Sequence, residues 1–240
     1  MTTTMTTGSW DEPAGGTPRG TLVVLPGRGE TAASYERFGR RLSADAYKVR
    51  LVPVDLDDLD DATDRVGKLL ADESLPAPKV LVGTDSGATL AALLAAELPL
   101  DAVVLAGLAL PESAGVDSWE DEIAARTACP VHTRVIDSDA DFTRGALNDP
   151  LPWPSLDLVA PDKPALVLHG TADPVTPAAA AVAPYAAAPT ARVRLVEGGR
   201  HDVLNDATHR SVAATVVLFL ESLRLGPELP AIVKTLEETS

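Results

Sequence analysis

Short aliphatic runs recur along the chain, and each gives way to a stretch in which apolar positions fall every three or four residues. TLVVLP (21–26), KVRLVPV (48–54), KVLVG (79–83), DAVVLAG (101–107), ALVLHG (165–170) and RVRLVEG (192–198) are short and apolar at successive positions, which suits strands buried on both faces. Between them lie SYERFGRRLSAD, DATDRVGKLLADE, GATLAALLAAEL, TPAAAAVAPYAAA and RSVAATVVLFLESLRL, whose apolar spacing is helical. Strand and helix in alternation predict the α/β class: a mostly parallel, doubly wound sheet with helices on both faces.

One interval breaks the rhythm. Residues 108–160 hold Pro111, Pro130, Pro150, Pro152 and Pro154, with short helices expected near 118–127 and 139–146. Proline punctuation of this density excludes long regular elements, and the interval reads as a small lid inserted after the fourth core strand. Residues 1–18, rich in Thr, Gly and Pro, read as a flexible tail with Trp10 as its one anchor. Residues 19–240 then form a single domain, a size within the reach of one hydrophobic core. The last stretch, GPELPAIVKTLEETS, either adds a helix or lies on a partner.

Composition narrows the function classes. Against 20 basic residues stand 35 acidic ones, a formal charge of -15 spread among apolar periods. Such a surface repels phosphate backbones and anionic membranes, so neither nucleic acid nor a membrane is an expected partner. A single cysteine, Cys129, excludes an internal disulfide and any paired-thiol metal or redox site. The first residues carry no charged-then-apolar leader and no run is long enough to span a bilayer, from which a cytoplasmic location is expected. The sequence carries no signal for an oligomeric state.

In open α/β sheets, ligands sit at the carboxyl ends of the strands. The polar residues there are Arg28, Asp85, Asp173 and His201, in the segments PGRGE, VGTDSGA, HGTADPVTP and GGRHDVLND. With these four segments in this order, each after a strand, the chain resembles the α/β-hydrolase superfamily from about residue 20 to 225. It looks most like the lysophospholipase and monoglyceride-lipase branch, with Asp in place of the nucleophilic Ser. The resemblance implies a triad of Asp85, His201 and Asp173, with no metal and no organic cofactor. It also implies an oxyanion hole formed by the backbone N–H groups of Arg28 and Ser86.

The elbow decides which residue is presented. A nucleophile on a strained strand-to-helix turn needs very small residues two before and two after it. For Asp85 these are Gly83 and Gly87; for Ser86 they are Thr84 and Ala88, so the register favours Asp85. A bland role as helix N-cap requires no such glycines. His201 is the one histidine of four on a glycine-rich loop after the last strand, and Asp173 is placed to orient it, unless it merely caps the turn before Pro174. The side chain of Arg28 reads as solvated, or as a charge for an anionic substrate. Trp119, His132 and Trp153 are the expected substrate contacts of the lid, because aromatic residues are scarce in this chain.

An aspartate here does not suit simple ester cleavage. After its attack on an acyl carbon, the intermediate expels the carboxylate, the far better leaving group, in preference to an alkoxide. Displacement at saturated carbon does suit it, as in relatives that open epoxides or remove halides. Yet Ser86 stands where the dehalogenases carry Trp, and residues 108–160 lack the tyrosines of the epoxide hydrolases. Three roles for Asp85 follow: nucleophile, general base for water, or proton-transfer residue in a non-hydrolytic cyclisation, elimination or C–C cleavage. Hydrolysis of a small organic substrate is the leading expectation. The sequence also admits a Ser86-dependent carboxylesterase and a catalytically inactive protein that binds a small molecule.

Overall fold

Within a few residues, the aliphatic runs of the sequence are strands of the computed structural model, which describes residues 7–234. They are β1 Ser9–Trp10, β2 Gly20–Leu25, β3 Tyr47–Leu51, β4 Lys79–Thr84, β5 Ala102–Leu108, β6 Ala165–Gly170 and β7 Ala191–Val196. Among the described residues these seven form one sheet in the order β1-β3-β2-β4-β5-β6-β7, with β1 antiparallel to β3 and every other neighbouring pair parallel. β2, β5 and β6 are buried at every position, as expected for strands covered on both faces. β3 and β7 are not, although their sequences are similarly aliphatic. They lie near the sheet's margins, where layers above and below run out.

Helices cover both faces. On one side α1 (Ala32–Ala44) and α7 (His209–Leu225) set Tyr35, Phe38, Leu42, Val216 and Leu220 against the sheet. On the other, α2 (Leu59–Ala71) and α3 (Asp85–Glu97) contribute Val66, Leu70, Leu90 and Leu94. Each such side chain, fully buried, stabilises by about 1.5–3 kcal/mol before conformational entropy is charged against it. α3 is buried nearly all round, and its small residues let it lie close against β4 and β5.

The segment between β5 and β6 holds α4 (Trp119–Arg126), α5 (Pro130–Ser138) and a 3-10 turn, Ala146–Asn148. The second helix expected near 139–146 therefore sits earlier. Pro130 opens that helix, because a proline at the first helical position loses no hydrogen bond and has its φ already set. The alanine-rich segment after β6 is helical over α6 (Ala178–Val182) alone, since Pro184 stops it.

The leading segment is more ordered than a tail from residue 7 onward; residues 1–6 lie outside the described residues. β1 pairs with β3, and the Trp10 ring lies on Gly39 of α1, where a Cβ would stand 2.3 Å from it. Its Nε1–H donates to Glu36 at 2.8 Å. At the other end, residues 226–234 form no helix, and Leu229 is buried against the α1/α7 layer; residues 235–240 lie outside the described residues. No helix among the described residues is long and apolar enough to cross a membrane.

Candidate active site

β4 ends at Thr84 and α3 begins on the next residue, so Asp85 sits on a turn with no connecting loop. Its φ is +48°, a left-handed value that costs an ordinary side chain free energy and persists where surrounding structure enforces it. The two flanking glycines enforce it. A Cβ on Gly83 would lie 2.2 Å from the Gly87 carbonyl oxygen, and one on Gly87 would lie 2.4 Å from that of Leu25. These contacts put the elbow on Asp85. Ser86 follows, buried in the first turn of α3.

His201 reaches the elbow on the loop after β7. Gly107 makes room for it: a Cβ there would lie 2.0 Å from the His201 carbonyl oxygen. The loop is held by the insertion, for the backbone N–H of His201 donates to Ala125 at 3.2 Å and that of Asp202 to Arg126 at 2.9 Å. Asp206 completes the attachment, accepting from the Ala128 N–H at 2.6 Å and the Arg200 N–H at 2.8 Å. Asp173, on the turn after β6, accepts through Oδ1 from the N–H groups of Val175 and Thr176, at 2.8 and 3.1 Å.

These turns bring the three side chains into line. His201 Nδ1 is 2.8 Å from Asp173 Oδ2, and His201 Nε2 is 3.1 Å from Asp85 Oδ1. The Arg28 N–H donates to Asp85 Oδ2 at 2.8 Å. The Arg28 side chain, expected to be solvated, is buried instead. Its Nε lies 2.9 Å from Asp85 Oδ2 and its Nη2 2.7 Å from Oδ1, a bidentate pair, while Nη1 donates to the carbonyls of Leu147 and Asp149 at 2.9 and 2.8 Å. Among the described residues, the hydrogen bonds to the Asp85 carboxylate come from Arg28 and His201, and Ser86 gives none.

Two cations and two anions thus share a buried site. Burial by itself raises the Asp85 carboxyl, but the Arg28 charge and the His201 hydrogen bond outweigh it and hold the group well below the carboxylate range. Burial likewise opposes the charge of His201, yet Asp173 and then Asp85 push its pKa up to about 9. Asp173 is lowered against burial by His201 and by His169. The resting site at neutral pH is therefore Asp85⁻, Arg28⁺, His201⁺ and Asp173⁻.

His132, Trp119 and Trp153 make their contacts elsewhere. His132 Nε2 lies 2.7 Å from Asp202 Oδ2, both buried. Trp119 meets Phe142 at a tilt, with ring centroids 5.5 Å apart, lies under Arg144 and donates to Asp137 at 2.9 Å. Trp153 packs on the α2/α3 side of the sheet. Trp119 ties parts of the insertion to one another, and Trp153 ties the insertion to the sheet.

Sequence reasoning missed several residues. His169, at the end of β6, has Nε2 2.9 Å from the same Asp173 oxygen that His201 holds; its place before Gly170 in the HGTAD segment was the available signal. Glu30, in PGRGE, accepts from the Gly27 N–H at 2.8 Å and is bonded to Tyr35, which also meets Thr84 beneath the elbow. Arg126 donates to the Arg28 carbonyl at 2.7 Å and pairs with Glu122 at 2.7 Å. The spacing of four between Glu122 and Arg126 was visible, but nothing in it reveals burial.

The architecture has counterparts in solved structures. The monoacylglycerol lipase of Paleococcus ferrophilus superposes with a TM-score of 0.68 at 16% identity, over 91% of this chain and 99% of its own. A soluble variant of the Saccharomyces cerevisiae monoglyceride lipase, in complex with a substrate analogue, gives 0.69 at 14% identity, over 90% and 91%. An esterase from Rhodococcus sp. ECU1013 gives 0.63 at 20%, over 90% and 94%. The chain has the α/β-hydrolase fold. In sequence, residues 148–231 match the family described as TAP-like protein, a stretch that carries both Asp173 and His201 of the fold's later loops. No curated protein matches the chain.

Proposed function

We propose that the protein is a hydrolase of a small organic substrate in which Asp85 is the nucleophile, at the place where lipases of this fold carry serine. The observation that carries this reading is the division of labour between the two oxygens of Asp85. Oδ1 faces His201 Nε2 at 3.1 Å, and Oδ2 accepts the Arg28 backbone N–H at 2.8 Å. In a displacement, Oδ1 attacks a saturated carbon and the departing group leaves with its electron pair, giving an alkyl ester of Asp85. Water then attacks the ester's Cγ, His201 takes the water's proton, and negative charge develops on Oδ2, toward which the Arg28 N–H already points. Collapse releases the alcohol with Oδ1, protonated by His201, and leaves the water oxygen in Asp85.

Charge makes the two halves compatible. At rest His201 is cationic and cannot act as a base. Esterification removes the Asp85 charge that helps hold that proton, so His201 becomes more acidic, releases it to the departing group or to solvent, and is then a base for water. A general-base role for Asp85 itself is weaker, because a carboxylate held so far below its ordinary range binds a proton poorly. The insertion over residues 109–164 acts in this reading as a lid, with the carbonyls of Leu147 and Asp149 against Arg28.

A second reading, an inert binding scaffold, draws on the bidentate Arg28–Asp85 pair, which leaves neither oxygen free in the closed site. Turnover separates the two. On a panel of acyl esters, epoxides and alkyl halides, we expect slow acyl-ester cleavage and turnover of an alkyl electrophile that Asp85→Asn abolishes and Ser86→Ala retains. Ester turnover that survives Asp85→Asn and is lost in Ser86→Ala would return the chemistry to Ser86; no turnover at all would favour the scaffold.

A further inference from the structure

Arg28 stands between the proposed nucleophile and anything it attacks. Its Nη2 covers Oδ1 at 2.7 Å, its Nε holds Oδ2 at 2.9 Å, and Asp85, His201 and Arg28 are all buried. No reactant reaches Oδ1 from that side until the guanidinium moves, and moving it strands a buried cation and weakens the compensation of a buried anion. A neutral reactant supplies nothing in return. A carboxylate on the reactant replaces the lost pairing like for like, since the guanidinium fork matches either carboxylate and Asp85 retains His201 as its partner. The Arg28 backbone N–H stays on Oδ2 throughout, because it belongs to the loop and not to the side chain.

The same conclusion follows from the intermediate. Esterified Asp85 is neutral, and the Arg28 side chain, 4% exposed, then loses the carboxylate it contacts and keeps only the more distant charges of Asp149 and Glu122, unless the reactant brings another. From these two observations we infer that Arg28 is the specificity-determining residue: the substrate is a short carboxylic acid, and docking of its carboxylate on Arg28 uncovers Oδ1. Because Arg28 Nη2 lies 2.7 Å from the attacking oxygen in the closed site, the acid is one whose carboxylate sits close to its reacting carbon. Release of Asp85 also loosens the Nη1 bonds to Leu147 and Asp149, so binding of the acid and movement of the insertion are one event. The inference rests on the reading of Asp85 as nucleophile.

Bromoacetate and bromoacetamide test it, since they offer the same carbon and leaving group with and without the charge. Reaction at Asp85 is followed on the whole protein as trapped adduct, located by peptide mass mapping, plus bromide released, with Asp85→Asn as the blank. Wild type should react at Asp85 at least tenfold faster with bromoacetate. Arg28→Gln, which keeps the backbone N–H, should lose that preference, its rates with the two reagents falling within about threefold of each other. Equal rates in wild type, or a preference that survives Arg28→Gln, overturns the role of Arg28 and leaves the nucleophile in place. No Asp85-dependent reaction with either reagent overturns the nucleophile, and this inference with it. If Arg28→Gln does not fold, competition on wild type decides: propionate should slow the bromoacetate reaction saturably and propionamide should not, and an absence of propionate competition overturns the inference.

Discussion

At Asp85 a carboxylate is ionised although buried, and two neighbours, Arg28 and His201, make that possible. Removing its charge tests each of them. In Asp85→Asn the proton on His201 loses one of its two anionic supports, so its pKa, about 9 in the wild type, should fall toward 6.5. Histidine-selective NMR titration reads this directly, and an unchanged value would show that Asp85 does not act on His201. The variant also leaves Arg28 buried without its anion, which costs on the order of 3–5 kcal/mol for pairs of this kind, visible as a lower denaturation midpoint.

The pH dependence of stability belongs to the same residues. His201 is raised in the folded state, so its contribution is fully present below about 6.5 and is lost as pH rises through about 9. Asp85 and Asp173 are lowered, so theirs is present above the ordinary carboxylate range and is lost as pH falls through their folded values. Melting temperature should therefore decline between pH 6.5 and 9, and Asp173→Asn, which removes the larger support of His201, should flatten that limb. A limb of equal slope in the variant would contradict the assignment.

Among the elements, the turn from β4 to α3 has the least freedom. A Cβ at Gly83 would stand 2.5 Å from the Ala88 Cα as well as against Gly87, all backbone, so Gly83→Ala should destabilise by roughly 1–3 kcal/mol or more and displace Asp85. The elbow was legible because two glycines at fixed distance from an acid have a steric meaning that needs no other part of the chain. α4 was legible as an element but not as a support. Its C-terminal carbonyls hold the His201 loop through bonds that no local pattern announces. Asp206→Ala breaks that attachment by removing the acceptor of the Ala128 and Arg200 N–H groups; it should cost on the order of 1–3 kcal/mol and lower kcat more than it raises KM. α5 lies earlier than its sequence pattern suggests because a proline starts a helix as readily as it stops one, and Pro130 does the former.

Across the whole molecule, six parallel-sheet runs carried enough aliphatic signal to give the fold, and the polar residues at their ends pointed to the site. What the sequence withheld was pairing between distant segments. Arg28 and Asp85 are 57 residues apart, and a guanidinium in a loop looks solvated until the insertion is laid over it. Nor does β1 show in the pattern, being two residues long; its ordering comes from Trp10 on Gly39 and from the Asp11 and Glu12 pairs with Lys48. Trp10→Ala should lower stability by about 1–3 kcal/mol while leaving the Asp85 reaction rate unchanged, because the ring packs on α1, far along the sheet order from the His201 loop.

The covalent role of Asp85 is tested most directly by the fate of a solvent oxygen. A single turnover in heavy-oxygen water, with protein in excess over the fastest electrophile of the panel, should place the label in the Asp85 carboxylate and leave the product alcohol unlabelled, since water cleaves the enzyme ester at Cγ and the alcohol departs with Oδ1. Label in the product and none in Asp85 would mean that water attacks the substrate directly, and the nucleophilic account would be wrong.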